Sequence, residues 1–143
     1  MATIAPSSAP TWFRVLAPLA VLWNGYGVFM YLHSVGVFGD PTTGLTEAQR
    51  AAANSIPAYI TGAFAIGTFA GLIGSLGLLL RKRWAWPVLA VSLLALIILE
   101  GWIVLLSGML EIFGGAALPV TIVVVAALLA WLALHARNRG WLT

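Results

Sequence analysis

The chain has no cysteine, so it can form no disulfide, thiolate nucleophile or cysteine metal site in any compartment. It is also short of charge. Only 8% of its 143 residues are charged, against about one quarter in a soluble domain. That is too little to coat a surface facing water. Four acids and two histidines leave little material for acid–base or metal chemistry. There is no HExxH, no Cys/His cluster, no Ser-His-Asp set that could converge and no P-loop, so nothing in the sequence supports an enzyme. The net charge of +3 comes from seven Lys and Arg beside hydrophobic spans, too few and too placed for a nucleic-acid surface. No cofactor is indicated.

What is abundant is apolar sequence: 62% hydrophobic residues and a mean hydropathy of +1.02. Ala58 to Leu80 is 23 residues without a charge. As a helix it would be about 35 Å long, enough to cross a bilayer core with some tilt. The expected fold is an all-α polytopic membrane protein with four transmembrane helices in a compact bundle. The spans are expected at about 11–33, 56–80, 84–106 and 117–134, forming one domain over 11–135. Residues 1–10 would be a flexible tail and 136–143 a basic one. The first span lacks a cleavage site and is expected to be retained. Ser55 is a candidate N-cap for the second span, with Pro57 in its first turn. In the loop at 34–54, Thr46 and Gln49 have the spacing of a capping box, predicting a short helix.

Cation placement predicts orientation. Arg14, the run Arg81-Lys82-Arg83, and Arg137 with Arg139 flank spans on one side, and only Arg50 falls on the other. The positive-inside rule then puts both termini in the cytoplasm. Arg81, Lys82 and Arg83 double as candidates for contact with lipid headgroups.

The span before that basic run is rich in glycine. Ala63, Gly67, Gly71 and Gly74, spaced by four, four and three, line one helix face and include a GxxxG motif. The strip predicts close helix packing, with small residues of the third span, Ala85, Ser92 and Ala95, as partners. Gly71→Leu is expected to be more damaging than Leu78→Ala, which lies near the basic end.

Among intramembrane polar groups, Asn24 reads as an interhelical hydrogen bonder and Glu100 as a hydrated interfacial acid. Tyr26 sits two residues from Asn24. His33 and His135 are the only candidates for ligating a haem or pigment; they fall near opposite faces and cannot share one group.

The stretches "WNGYGVFMYLH", "SIPAY", "GLIGSLGLLLRKRWAWPVLAVSLLAL" and "HARNRGWL" resemble a family of small, uncharacterised bacterial inner-membrane proteins with four predicted helices. Members often carry automatic labels such as hypothetical membrane protein or sugar transporter. The resemblance covers roughly residues 12–142. It implies a multi-pass protein of the bacterial inner membrane and supplies no catalytic residues. Where members often have "PAW" this chain has "PAY" at 57–59, and Met30 stands where an acid is common, removing a polar site from the first span.

Function is expected to be that of a non-enzymatic structural or accessory subunit of a larger inner-membrane complex. Its partners would be lipids and other membrane subunits, or further copies of itself, and no nucleic acid. The alternatives are an oligomeric small-solute transporter, possibly for sugars, lined by Asn24, Tyr26, Tyr59 and Thr61, and a single-histidine pigment- or haem-binding subunit.

The orientation is testable with single cysteines at Ser7, Thr42 and Thr143 and an impermeant thiol reagent on whole cells. Labelling is expected at 42 only; labelling at 7 or 143 with protection at 42 would mean the reverse orientation.

Overall fold

Four long helices and one short one make up the chain in the computed structural model, which describes residues 8–112 and 114–143. In order they are α1 (Thr11–Ser34), α2 (Glu47–Asn54), α3 (Ala58–Leu79), α4 (Ala85–Leu105) and α5 (Ala117–Asn138). The described residues contain no strand. α1, α3, α4 and α5 are each long and apolar enough to cross a membrane. The expected all-α architecture of four packed spans is what forms. The packing order is α1 against α3, α3 against α4, and α4 against α5, with α3 also touching α5.

α3 is central because its glycine face lets two neighbours close in. Ala63, Gly67, Gly71, Gly74 and Gly77 are all buried. A Cβ built on Gly67 would lie 2.7 Å from Leu96, and one on Gly74 2.5 Å from Leu89. Both distances are too short for a real methyl, so only glycine admits α4 here. The register is antiparallel: each step up α3, from Gly67 through Gly71 and Gly74 to Gly77, meets a step down α4, from Leu96 through Ser92 and Leu89 to Ala85. Partner size differs from expectation. Ser92 and Ala85 do meet the strip, but the knobs entering the glycine hollows are Leu96 and Leu89, because a hollow with no Cβ gains most dispersion contact from a large side chain.

The helix ends are closed by local chemistry. Thr46 Oγ1 accepts from the Gln49 amide at 3.3 Å, and Gln49 Oε1 accepts from the Thr46 amide at 3.1 Å, so the capping box starts α2 as expected. Ser55 does not cap the second span. It ends α2, its hydroxyl donating to Ala52 O at 2.7 Å, and Pro57 holds the N-cap of α3. Before α2, the Asp40 carboxylate accepts from the Thr42 hydroxyl and amide, and these bonds hold its pKa below the usual aspartate value.

α3 ends in a Schellman turn with an unusual residue in its left-handed position. Lys82 N donates to Gly77 O at 2.8 Å and Arg81 N to Leu78 O at 3.0 Å, while Arg81 itself has φ +58°. Glycine would avoid the cost of about 1–2 kcal/mol that a side chain incurs there. Arg81 offsets it with contacts glycine lacks: its Nε donates to Trp141 O at 2.9 Å. The backbone adds a two-bond clasp, Thr143 N to Arg81 O at 2.6 Å and Arg83 N to Thr143 O at 3.2 Å.

That clasp revises the picture of the C-terminus. α5 continues to Asn138 instead of stopping near 134, and the residues after it fold back, burying Leu142 beside Phe13 and Leu78. Leu78 is fully buried, so Leu78→Ala is no mild control; it would open a core cavity. Ile73, 49% exposed on the outer surface of the bundle, serves that purpose.

Gly71→Leu is therefore expected to destabilise the isolated monomer by about 1–3 kcal/mol or more, and Ile73→Ala by less than about 0.5 kcal/mol. Thermal melting by tryptophan fluorescence, beside size-exclusion chromatography, measures both. A Gly71→Leu protein that melts with the wild type would show that α3 does not need the close approach.

Candidate functional site

Two polar features lie inside the bundle, and they differ in whether the chain satisfies them. The first is the Asn24 network. Asn24 projects from α1 into the face of α3 and is buried. Its Nδ2 donates to Ser75 Oγ and to Ala20 O, both at 2.9 Å. Ser75 Oγ in turn donates to Gly71 O at 2.7 Å. From the other side of α3, Ser92 Oγ donates to Gly67 O at 2.6 Å. Any Cβ at Gly71 would run into Asn24 Oδ1 and sit 3.0 Å from Ser92 Oγ. Gly71 is thus the point where α1 and α4 both bring polar atoms against the backbone of α3. Asn24 plays the expected interhelical role, and its donors are spent on protein acceptors. This network holds helices together and leaves nothing for a ligand.

The second feature is Glu100. On α4 it stands about 24 Å along the helix from the basic turn, in the outer part of the span. It was expected to be hydrated there. Instead it is only 5% exposed. It lines a cavity of about 410 Å³ between the ends of α3, α4 and α5. Ile60, Thr61 and Phe64 of α3 face Leu99, Trp102 and Ile103 of α4 across it. Ile56, at the end of the α2 segment, Met109 from the α4–α5 connection and Leu118 of α5 close it over. These loop residues cover Glu100, and their fold-back is not revealed by the span pattern alone. The carboxyl makes no hydrogen bond or ion pair with the described residues. Its oxygens are not sealed in protein, so their remaining accessible surface lies on the cavity. An unpartnered acid facing an apolar chamber inside a membrane span is a functional-site signal in its own right.

Comparison with protein-family models, with curated proteins and with solved structures finds no match for this chain. The site is therefore read from its own geometry.

The α4–α5 link carries Gly108, Gly114 and Gly115 at φ of +66°, +92° and +101°. One long hydrogen bond, Gln49 Nε2 to Ile112 O at 3.4 Å, ties α2 to it.

The remaining candidates scatter. Tyr26 is 62% exposed on the outer face of α1, stacked near Phe29, and Tyr59 is 65% exposed. Within a single chain Asn24, Tyr26, Tyr59 and Thr61, the lining expected for an oligomeric transporter, do not converge, and of the four Thr61 lines the cavity. His33 is exposed at the end of α1. His135 lies half-buried at the other end, stacked on Trp131 at 5.2 Å and edge-on to Trp141 at 5.4 Å. The two are about 30 Å apart by helix rise, as expected. Among the described residues no cluster of three or more His, Asp or Glu could hold a metal.

The six cations of the sequence pattern do gather at one end. Phe13 of α1 packs on Trp141 at 5.7 Å, and Arg81 binds the same residue, which joins the start of α1, the α3–α4 turn and the end of α5. Arg137 lies over the Trp86 ring at 5.3 Å. Lys82 and Arg83 are exposed and free to meet headgroups, whereas Arg81 is committed to the clasp.

The Asn24 network yields a quantitative expectation. A double-mutant cycle of Asn24→Ala and Ser75→Ala, read by reversible unfolding in detergent, should give a coupling of about 0.6 kcal/mol, the usual value for a hydrogen bond between membrane helices. A coupling of zero would mean the amide finds an equal partner without Ser75.

Proposed function

We propose that this chain is a non-enzymatic multi-pass protein of a bacterial inner membrane that holds a small molecule in the Glu100 cavity. One observation carries the reading: a buried carboxyl with no hydrogen bond or ion pair among the described residues lines a largely apolar, partly open cavity. A volume of about 410 Å³ falls within the roughly 300–1000 Å³ of small-molecule sites, which are mostly apolar with a few placed polar groups. The gathering of six cations at the opposite end supports an orientation with that end in the cytoplasm and the cavity toward the outer side. The resemblance to bacterial four-helix membrane proteins points to the same compartment.

A second reading, an accessory subunit of a larger assembly, has its own support. Between α1 and α5 runs a groove of about 540 Å³ lined by Trp12, Leu16, Leu19 and Trp23 on one side and Leu128 and Trp131 on the other, with almost no polar surface. α1 turns Phe13, Ala17, Ala20 and Asn24 into its own chain, with Tyr31 packing on Phe64 and Phe69 of α3 and Trp12 on Trp141. The rest of α1 is available to lipid or to another helix. The two readings are compatible, since an accessory subunit can carry a ligand.

One preparation tests both. The protein is purified in mild detergent beside Ile103→Trp, which fills the cavity, and small molecules extracted from each are compared. The wild type is expected to retain a compound that the filled variant lacks at equal folded yield. Identical extracts, with no solute raising the wild-type melting temperature selectively, would remove the ligand-binding reading. Co-eluting chains support the accessory role, and a chain that always elutes alone counts against it.

A further inference from the structure

We infer that the Glu100 cavity selects a monovalent organic ammonium with an apolar body, an inference that rests on the cavity being a ligand site. The argument is one of missing charge. A carboxylate inside a membrane span is stable when a cation or several donors stand beside it. Among the described residues the chain supplies neither. Six of the seven Lys and Arg are at the far end of the bundle, and Arg50 is exposed on α2. Glu111, the other acid near this end, is exposed on the α4–α5 connection. No Lys or Arg among the described residues reaches Glu100, so a cation from outside the chain is the partner that would keep its carboxyl ionised.

The walls decide what kind of cation fits. An inorganic ion such as Ca²⁺ needs six to eight oxygen ligands. The side-chain oxygens lining this cavity come only from Glu100, Thr61 and Ser34, and the remaining lining side chains are apolar. Such a shell cannot replace the water of a small hard ion. It suits a cation that carries its own apolar substituents. Ile60, Leu99 and Ile103 would cover the body of such a ligand. Trp102 and Phe64 add aromatic surface to the cavity wall, which attracts ammonium groups through the ring quadrupole. A neutral sugar fits poorly, because its many hydroxyls would lose water without gaining partners.

The decisive comparison uses two probes of the same shape, benzyltrimethylammonium and its neutral isostere neopentylbenzene. Each is titrated into the full chain in nanodiscs, with tryptophan fluorescence and calorimetry as readouts. The ammonium is expected to bind at least about tenfold more tightly. Glu100→Gln should bring the two affinities within about twofold of each other while the neutral probe binds as before. Equal affinities in the wild type would overturn the ammonium inference and leave the cavity as a ligand site. No binding of either probe, together with identical small-molecule extracts from wild type and Ile103→Trp, would overturn both. Because the wild-type comparison needs no substitution, the result stands even if Glu100→Gln fails to fold.

Discussion

The structure depends on how closely two helices can approach the backbone of α3. Lipid gives apolar side chains no reason to prefer each other over acyl chains, so association rests on packing and on the few polar bonds available. Glycine at 67, 71 and 74 supplies both. It opens hollows that Leu96 and Leu89 fill, and it lets α4 come close enough for Ser92 to reach the carbonyl of Gly67. Asn24 then joins the same backbone from α1. A single methyl at 71 would displace α1 and α4 together, because the atoms it would strike belong to both.

With the centre fixed in this way, the two ends of the bundle take opposite characters. The basic end is tied shut. A Schellman turn, the Arg81 bond to Trp141, the paired backbone bonds of Thr143 and a cluster of Trp12, Phe13, Trp141 and His135 hold three chain segments together. The residue at the strained position is one whose side chain contributes to that closure. The other end is capped by a short helix and a glycine-containing link joined by one long hydrogen bond, and beneath them is the chamber with Glu100.

The chamber and the Asn24 network show why burial alone does not mark a site. Both polar residues lie within apolar spans, and both are buried to a similar degree. Asn24 has acceptors at 2.9 Å and is finished as a structural element. Glu100 has none. The difference between the two is satisfaction, since an unmet polar group in a low-dielectric interior costs far more than a met one contributes.

The sequence by itself determined the class of the fold and the start of its short helix. Scarce charge and long apolar runs require spanning helices, because lipid leaves no other way to satisfy a backbone. The Thr46–Gln49 capping box and the glycine face of α3 were legible because they depend on residues three or four apart, a distance helix geometry fixes. The clustering of cations was legible because alternating spans place every second loop on one side. Contacts between segments distant in sequence were decided only by tertiary structure: Leu142 folding back on Phe13 and Leu78, leucines rather than small residues entering the glycine hollows, Tyr26 turning outward, and above all the enclosure of Glu100. Whether an acid sixteen residues into a span meets water or a largely apolar cavity depends on where the loops at 54–56 and 107–118 come to rest. No local periodicity encodes that, because it follows from how α3, α4 and α5 pack at their far ends.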